Sequence, residues 1–595
     1  MNIVLTTLNS KYIHSSIALR YLKAYGATQG QAYDIVEYTI NMPILDILAD
    51  ITERDIDLLS FSCYIWNIEM TLHLVEMIKA VRPNIKIILG GPEVSFTADE
   101  ILERCPAVDF IGQGEGEESL SQLVAQLEAG GTGISPVIPG IRGRDEQGRP
   151  AGSLQQVEVK DLSTVPFPYT EEDMEDLENK IIYFETSRGC PFSCQYCLSG
   201  NANTVRFFPQ ERSLQELQWF MDHGVKLVKF VDRTFNCAPG HHLPLMEFMA
   251  NADTDTTFHL EMEPELMTEK EVDILCKAPH GRFQIEVGVQ STHKKTLDAI
   301  NRYNDWPYIQ KVIKPIIDAG RTHVHMDLIV GLPHEDKDRF GQSFNDLFSL
   351  KPHALQLGFL KLLKGSGVRK MEEYEYVCDP QAPYEVLSTH VMPYDDIRYL
   401  KHFEDVFERF YNSERFRTVF GYIADKLIAE GVNGRTTTAF KYFTDMTDKW
   451  LALGHHKISL KDIDQIEFLY NFFKDRGDTM AMELLQYDTL CSYRGKVRDQ
   501  AVGLPKQTKE LLQAGESFWR DEALVQSFIP HFTFREWRKI RQSYVEMPMS
   551  QETADYLDVR RDGYPLTQTE DGKYLVILDV NRQIQPFVRP QIQSL

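Results

Sequence analysis

Residues 187–197 read SRGCPFSCQYC, and they place Cys190, Cys194 and Cys197 within eight residues, three of the nine cysteines in a 595-residue chain. Thiolates hold soft metals, and a four-thiolate zinc site usually shows two CxxC pairs. This chain has one such pair and no second. A [4Fe–4S] cluster held by three cysteines leaves one iron open for a substrate or cofactor, which fits the count. A zinc site completed by a distant histidine fits the spacing less well.

The elements around this loop set its place. IIYFETS (181–187) runs into it and reads as a strand, followed by VKLVKFVD, TTFHLEME, FQIEVGVQ, HVHMDLIVG and ALQLGFLKLL, with helical segments between. Six βα units over 181–370 predict a partial (β/α)6 barrel of the TIM type, since the eight-unit form takes about 250 residues. The cysteines then stand at the carboxyl end of the first barrel strand, the edge where barrels carry active sites. Ahead of the barrel, strand-like runs at 3–8, 33–39, 56–63, 85–91 and 108–114 alternate with helical patterns such as 67–81. That predicts an α/β, Rossmann-like domain over 1–145 with a parallel sheet. A Gly/Pro-rich stretch opens a linker over 146–180. Beyond 371 the chain turns to aromatic-rich helices (406–427, 466–476) with one strand-like run at 573–581. This predicts a mostly α third domain, 371–595, whose aromatics pack a core rather than line a pocket.

Composition narrows the class. With 43% hydrophobic and 25% charged residues the chain reads as globular, and a net charge of −24 disfavours nucleic acid, which needs a basic face. No apolar run is long enough for a membrane span, and the first residues carry no signal-peptide pattern. Few, unevenly spaced cysteines point to a reducing, cytoplasmic setting.

CxxxCxxC after the first strand of a six-unit barrel resembles the radical S-adenosylmethionine (SAM) superfamily. The resemblance implies that Cys190, Cys194 and Cys197 hold a [4Fe–4S] cluster and that SAM chelates its open iron. Reductive cleavage of SAM would then give a 5′-deoxyadenosyl radical. Tyr196 takes the aromatic position before the third cysteine. The Gly-Gly-Glu-like stretch of many members is replaced by Asp232 and Arg233, leaving Asp232 as the SAM candidate there. Glu286 and Gln290 in IEVGVQS, Arg302 in DAINRYN, and Leu332 in DLIVGLP complete the implied SAM contacts. Cys237 is a thiol to test near the cluster.

Two Gly segments of the first domain, LGGPEVSF (89–96) and DFIGQGEGEESL (109–120), let a bulky ligand approach the backbone closely. Acidic residues after the second argue against a phosphate there. Before a radical SAM barrel, this pair resembles the cobalamin-binding domain of B12-dependent radical SAM proteins, and the carboxyl-terminal part resembles the auxiliary domain of an uncharacterised subgroup. The implied cobalamin contacts are Tyr12, His14, Ser60, Ser62, Tyr64, Gly90, Gly91, Pro92, Glu93, Gly114 and Glu115. The cobalt-ligating motif DxHxxG is absent.

The resemblance implies methylation of an unactivated carbon of a small-molecule substrate via methylcobalamin, fed by an external electron donor of flavodoxin or ferredoxin type. Two readings stand beside it: cobalamin-dependent radical chemistry without methyl transfer (oxidation, cyclisation or ring contraction), and a non-catalytic cobalamin or Fe–S sensor.

Overall fold

A computed structural model of the protein describes residues 1–201, 204–432, 438–493, 495–501, 503, 509–526, 532–541, 544–557, 564–568 and 574–579. Strands β1 (Ile3–Asn9), β2 (Tyr33–Thr39), β3 (Leu58–Ser62), β4 (Lys86–Gly90) and β5 (Phe110–Gly112) form a parallel sheet in the order 2-1-3-4-5. All of β1 is buried, as strands covered on both faces must be. Alternation splits the core in two: Ile3, Leu5, Leu58 and Ile88 pack on one face, Val4, Leu59, Phe61 and Leu89 on the other. The sheet runs past the expected boundary at 145. β6 (Ile141–Arg144) and β7 (Pro150–Gly152) add to it antiparallel.

The barrel strands are β8 (Ile182–Phe184), β11 (Leu227–Phe230), β12 (Thr257–Glu261), β13 (Phe283–Gln290), β14 (His323–Val330) and β15 (Ala354–Phe359), in sequential order across one sheet. Between β8 and β11 lies a small antiparallel hairpin, β9 (Ser187–Gly189) and β10 (Val205–Phe207), and the cysteine loop is its connection. Alternation on β13 buries Ile285, Val287 and Val289 and leaves Gln284, Glu286, Gly288 and Gln290 partly exposed. β14 does the same, burying Val324, Met326 and Leu328. The apolar set packs outward under the helices, so the inner face is polar.

The chain divides into two compact units, Met1–Arg339 with Leu357–Ile397, and Phe340–Gln356 with Arg398–Leu595. The division falls elsewhere than the expected boundary at 370. Residues 340–356, from the barrel's last βα unit, belong with the carboxyl-terminal helices. In that unit helices Arg417–Val432, Ala439–Ala452, Asp462–Asp475 and Thr479–Ser492 accompany a three-stranded antiparallel sheet (Tyr544–Met549, Tyr564–Gln568, Tyr574–Asp579). Lys573 and residues 580–581 of the expected final strand lie outside the described residues.

Aromatic rings form the second unit's core. Phe344 meets Phe403 and Phe407 at 5.2 and 5.1 Å, and Phe407 meets Phe443 at 4.8 Å, each near edge-to-face. A turn of π-helix, Glu408–Asn412, closes the segment before Arg417. Its last residue, Asn412, uses its side-chain amide on one residue of β15. The Leu355 N–H donates to Asn412 Oδ1 (3.1 Å), and Asn412 Nδ2 donates to the Leu355 carbonyl (3.0 Å).

Candidate active site

The cysteine loop is pinned from several sides. Gln195 N–H donates to the Ile300 carbonyl (2.9 Å), Val368 N–H to that of Gln195 (2.8 Å), and Asn301 Nδ2 to that of Ser193 (3.2 Å). Cys190 and Cys194 are buried and Cys197 half-buried, and all three line one cavity of about 190 Å³. Cys190 Sγ lies 3.5 Å from Thr234 Oγ1. Among the described residues, no three His, Cys, Asp or Glu side chains converge on a point for a single ion. Three thiols around a cavity instead suit a cluster, in which each thiolate takes its own iron. The donor set fits a [4Fe–4S] cluster.

Arg302 and Gln290 share this cavity with Tyr196. Arg302 Nη1 lies 3.7 Å from Cys194 Sγ and 3.4 Å from the Tyr196 hydroxyl, and Nη2 pairs with Glu263 at 2.8 Å. Burial alone would lower the Arg302 pKa. Tyr196, Glu263 and Cys194 outweigh it, so the guanidinium stays charged. Its buried Nε has no partner. Gln290 has φ 69° at a bulge after Gly288, an unusual backbone for a non-glycine residue, and its side chain lies so close over Gly288 that a Cβ there would sit 2.3 Å from Nε2.

Strand register builds the inner polar face. Lys229 on β11 stands beside Tyr183 on β8 and His259 on β12, while Glu286 stands between Glu261 and His325. Glu286 lines the cavity, but its carboxylate is engaged, with His259 Nε2 at 3.1 Å and Lys229 Nζ at 3.5 Å. The His259 bond, with Lys229 and His325 near, holds its pKa at about 2 against a usual 4.5. A carboxyl depressed on folding stabilises the fold above its usual pKa, and that contribution is lost as pH falls toward 2. Glu286→Gln is therefore expected to flatten the acid limb of the stability profile between pH 4.5 and 2, read by urea denaturation across pH. Glu261, Glu263, Gly288 and Asp327 also line the cavity and were not among the expected contacts. Polar alternation in FHLEME and HVHMD was the signal for three of them. Burial raises both Glu261 and Asp327, and Asp327 is raised further by Glu286 and Glu261.

Other expected SAM contacts stand elsewhere. Leu332 is fully buried and does not line the cavity. Asp232 does not reach it either. Its carboxylate accepts from Thr186 N (2.9 Å), Thr186 Oγ1 (2.7 Å) and Ser187 Oγ (2.6 Å), tying the end of β11 to the base of the cysteine loop. Burial raises its pKa against those donors. Asp232→Ala leaves the three donors unpaired and is expected to cost about 2–4 kcal/mol, read from denaturant midpoints. At Cys237, burial pushes the thiol up to about 11, which removes it as a ready thiolate.

In the first domain, Ser60 and Ser62 are buried near the carboxyl end of β3, and Tyr64 stacks on Trp66 at 4.4 Å with the rings 4° from parallel. Over Gly90 there is open space, with nothing within 4 Å of an added Cβ. A bare backbone at the sheet's carboxyl edge fits a bulky, flat ligand such as cobalamin. His14 Nδ1 bonds the Tyr183 hydroxyl at 2.7 Å and so joins the first domain to the barrel. Burial, then Lys11 and Lys229, lower its pKa. Tyr12 is exposed, with the Lys180 ammonium 5.4 Å above its ring.

Four expected cobalamin residues also have neighbours or partners within the chain. Gly91 and Gly114 have φ of 102° and 89°, and a Cβ would lie 2.6 Å from the Cys63 carbonyl and 2.1 Å from that of Val157. Glu93 is buried and accepts from the Tyr384 hydroxyl. Glu115 pairs with Arg206 at 2.6 Å. Pro92 follows Gly91 as the first residue of a short helix, where its fixed φ suits.

Comparison with known proteins agrees with this geometry. Residues 3–124 match the B12 binding domain, 184–347 the radical SAM superfamily, and 372–556 a family described as a protein of unknown function, DUF4080. The cobalamin-dependent radical SAM methyltransferase TokK of Streptomyces tokunonensis is 26% identical over 61% of this chain and 58% of its own. The 2-(S-pantetheinyl)-carbapenam-3-carboxylate methyltransferase of Streptantibioticus cattleyicolor is 27% identical over 59% of this chain and 56% of its own. The chain thus spans somewhat over half the length of these relatives. The cobalamin-dependent SAM radical enzyme OxsB, solved with aqua-cobalamin, shares the fold with a TM-score of 0.51 at 15% identity, over 96% of this chain and 82% of that one. Among the described residues no helix is long and apolar enough to cross a membrane. The matched domains call for a [4Fe–4S] cluster, SAM and cobalamin, and the chain is a radical SAM protein with a B12-binding domain before its barrel and a DUF4080 region after it.

Proposed function

We propose that the protein is a cobalamin-dependent radical SAM enzyme that methylates an unactivated carbon of a small-molecule substrate. The observation that carries this reading is the meeting of Cys190, Cys194 and Cys197 with Tyr196, Gln290 and Arg302 on one cavity, behind a B12-binding domain. When bound, the cluster and SAM supply a carbon radical, and cobalamin carries the methyl group.

The chain's own residues bind and orient. Cys190, Cys194 and Cys197 hold the cluster. Arg302, anchored by Glu263, keeps positive charge beside Cys194, placed to meet a carboxylate. Gln290, with the acids Glu261 and Asp327, supplies hydrogen-bonding groups along the cavity wall. Ser60, Ser62, Tyr64, Gly90 and His14 offer the cobalamin edge. The name of the 2-(S-pantetheinyl)-carbapenam-3-carboxylate methyltransferase supports a small-molecule substrate. An external electron donor of flavodoxin or ferredoxin type and a cytoplasmic setting complete the reading.

The test is anaerobic turnover with methyl-labelled SAM, a strong reductant and a small-molecule extract from cells that express the protein. The expected result is 5′-deoxyadenosine together with label in a new product. 5′-Deoxyadenosine without labelled product would favour radical chemistry without methyl transfer. SAM binding with neither would overturn the enzymatic reading in favour of a sensor.

A further inference from the structure

The hairpin that carries the cysteine loop places two like charges side by side. Arg188 on β9 and Arg206 on β10 are direct cross-strand partners, an arrangement that repels. What stands between them comes from the first domain. Glu115 takes Arg206 Nη2 at 2.6 Å and Arg188 Nη1 at 3.3 Å, and Glu117 takes Arg188 Nη2 at 2.8 Å. Glu185 completes the set at 2.7 Å from Arg188 Nε. The Arg188 guanidinium also lies 5.0 Å over the ring of Tyr21, on the helix Ile17–Thr28 of the first domain, and 5.7 Å over that of Phe208. No member of this set is more than 21% exposed. Removing one partner from a buried set strands a charge.

Two ends of this arrangement belong to different cofactor sites. Arg188 precedes Cys190 by two residues, so its place fixes where the cysteine loop begins. Glu115 and Glu117 follow β5 directly, at the carboxyl edge of the B12-binding sheet. We infer that Arg188 and Arg206 are positioning residues, through which the loop after β5 grips the base of the cysteine loop and sets the separation between the cluster and cobalamin. The inference rests on the two-cofactor reading above. It makes the hairpin alone insufficient: without the carboxylates of the first domain its two arginines push apart, and the cysteine loop loses its register.

Glu117→Gln tests this in the full chain, because it removes one charge with little change of shape. Amide hydrogen exchange of the apo protein is expected to quicken at least about tenfold at 187–189 and 205–207, with β13 and β14 unchanged. With cluster and cobalamin loaded and both reduced to paramagnetic forms, the mutual enhancement of their spin relaxation is expected in the unaltered protein and lost in the variant, at equal iron and cobalamin content. Arg206→Met should do the same, and Arg206→Lys should restore much of both signals. Unaltered exchange and relaxation in Glu117→Gln and Arg206→Met would overturn the positioning role. An unaltered protein that takes up no cluster or no cobalamin would instead overturn the reading beneath it, whatever the exchange data show.

Discussion

Cys194→Ala protein, reconstituted anaerobically with iron and sulfide, is expected to lose the ~4 iron and ~4 sulfide of the intact chain and with them reductive SAM cleavage, by at least about 10³-fold. The physical reason is the absence of a substitute. Only Cys190, Cys194 and Cys197 among the described cysteines line the cavity, and Cys194 is also the thiol that Arg302 meets at 3.7 Å. Two remaining thiolates cannot hold three irons in place. Cys105→Ala is the matched control. Cys105 is buried in the first domain's core, far in role from the cavity, so its loss is expected to lower stability by about 1 kcal/mol and leave iron content unchanged. Iron and sulfide assays with 5′-deoxyadenosine quantification separate the two.

A chain ended after Ile397 is expected to be insoluble or unfolded. Such a truncation looks natural, since it removes a region of separate family assignment and spares every strand of the barrel. It would nonetheless strip Phe344 and Phe348 of Phe403, Phe407 and Phe443, the rings they pack against. Burying a phenylalanine side chain is worth about 1.5–3 kcal/mol, and with Phe340 three fully buried rings would meet water. The total, about 5–9 kcal/mol, rivals the whole stability of an ordinary domain. Phe443→Ala in the full chain gives a graded version, with an expected loss of about 3–5 kcal/mol read from the denaturant midpoint.

The sequence carried the fold well where strands are buried on one or both faces. β13 occupies the very residues that alternation predicted, because a buried face constrains every second side chain, and β2 coincides with its expected run, 33–39. The cysteine loop was legible for a similar reason: thiolate count and spacing are local. Partnerships across long stretches were not. Glu93 meets Tyr384 across 291 residues and Glu115 meets Arg206 across 91, so neither bond leaves a mark near the glutamate. The partners of Asp232, expected as a SAM contact, were hidden for the same cause, since its donors lie 45 and 46 residues away. Gly91 and Gly114 were read as room for a ligand, and nothing in the sequence signals that a side chain there would also meet the backbone of Cys63 and Val157.

Asn412 bears on association as well as on folding. A six-stranded barrel leaves β8 and β15 as open edges, and an unpaired edge is a template on which another chain can add a strand. By occupying both the N–H and the carbonyl of Leu355, one side-chain amide does what a seventh strand would do at that residue. The π-turn that delivers it thereby closes β15 at Leu355 to a strand from a second molecule.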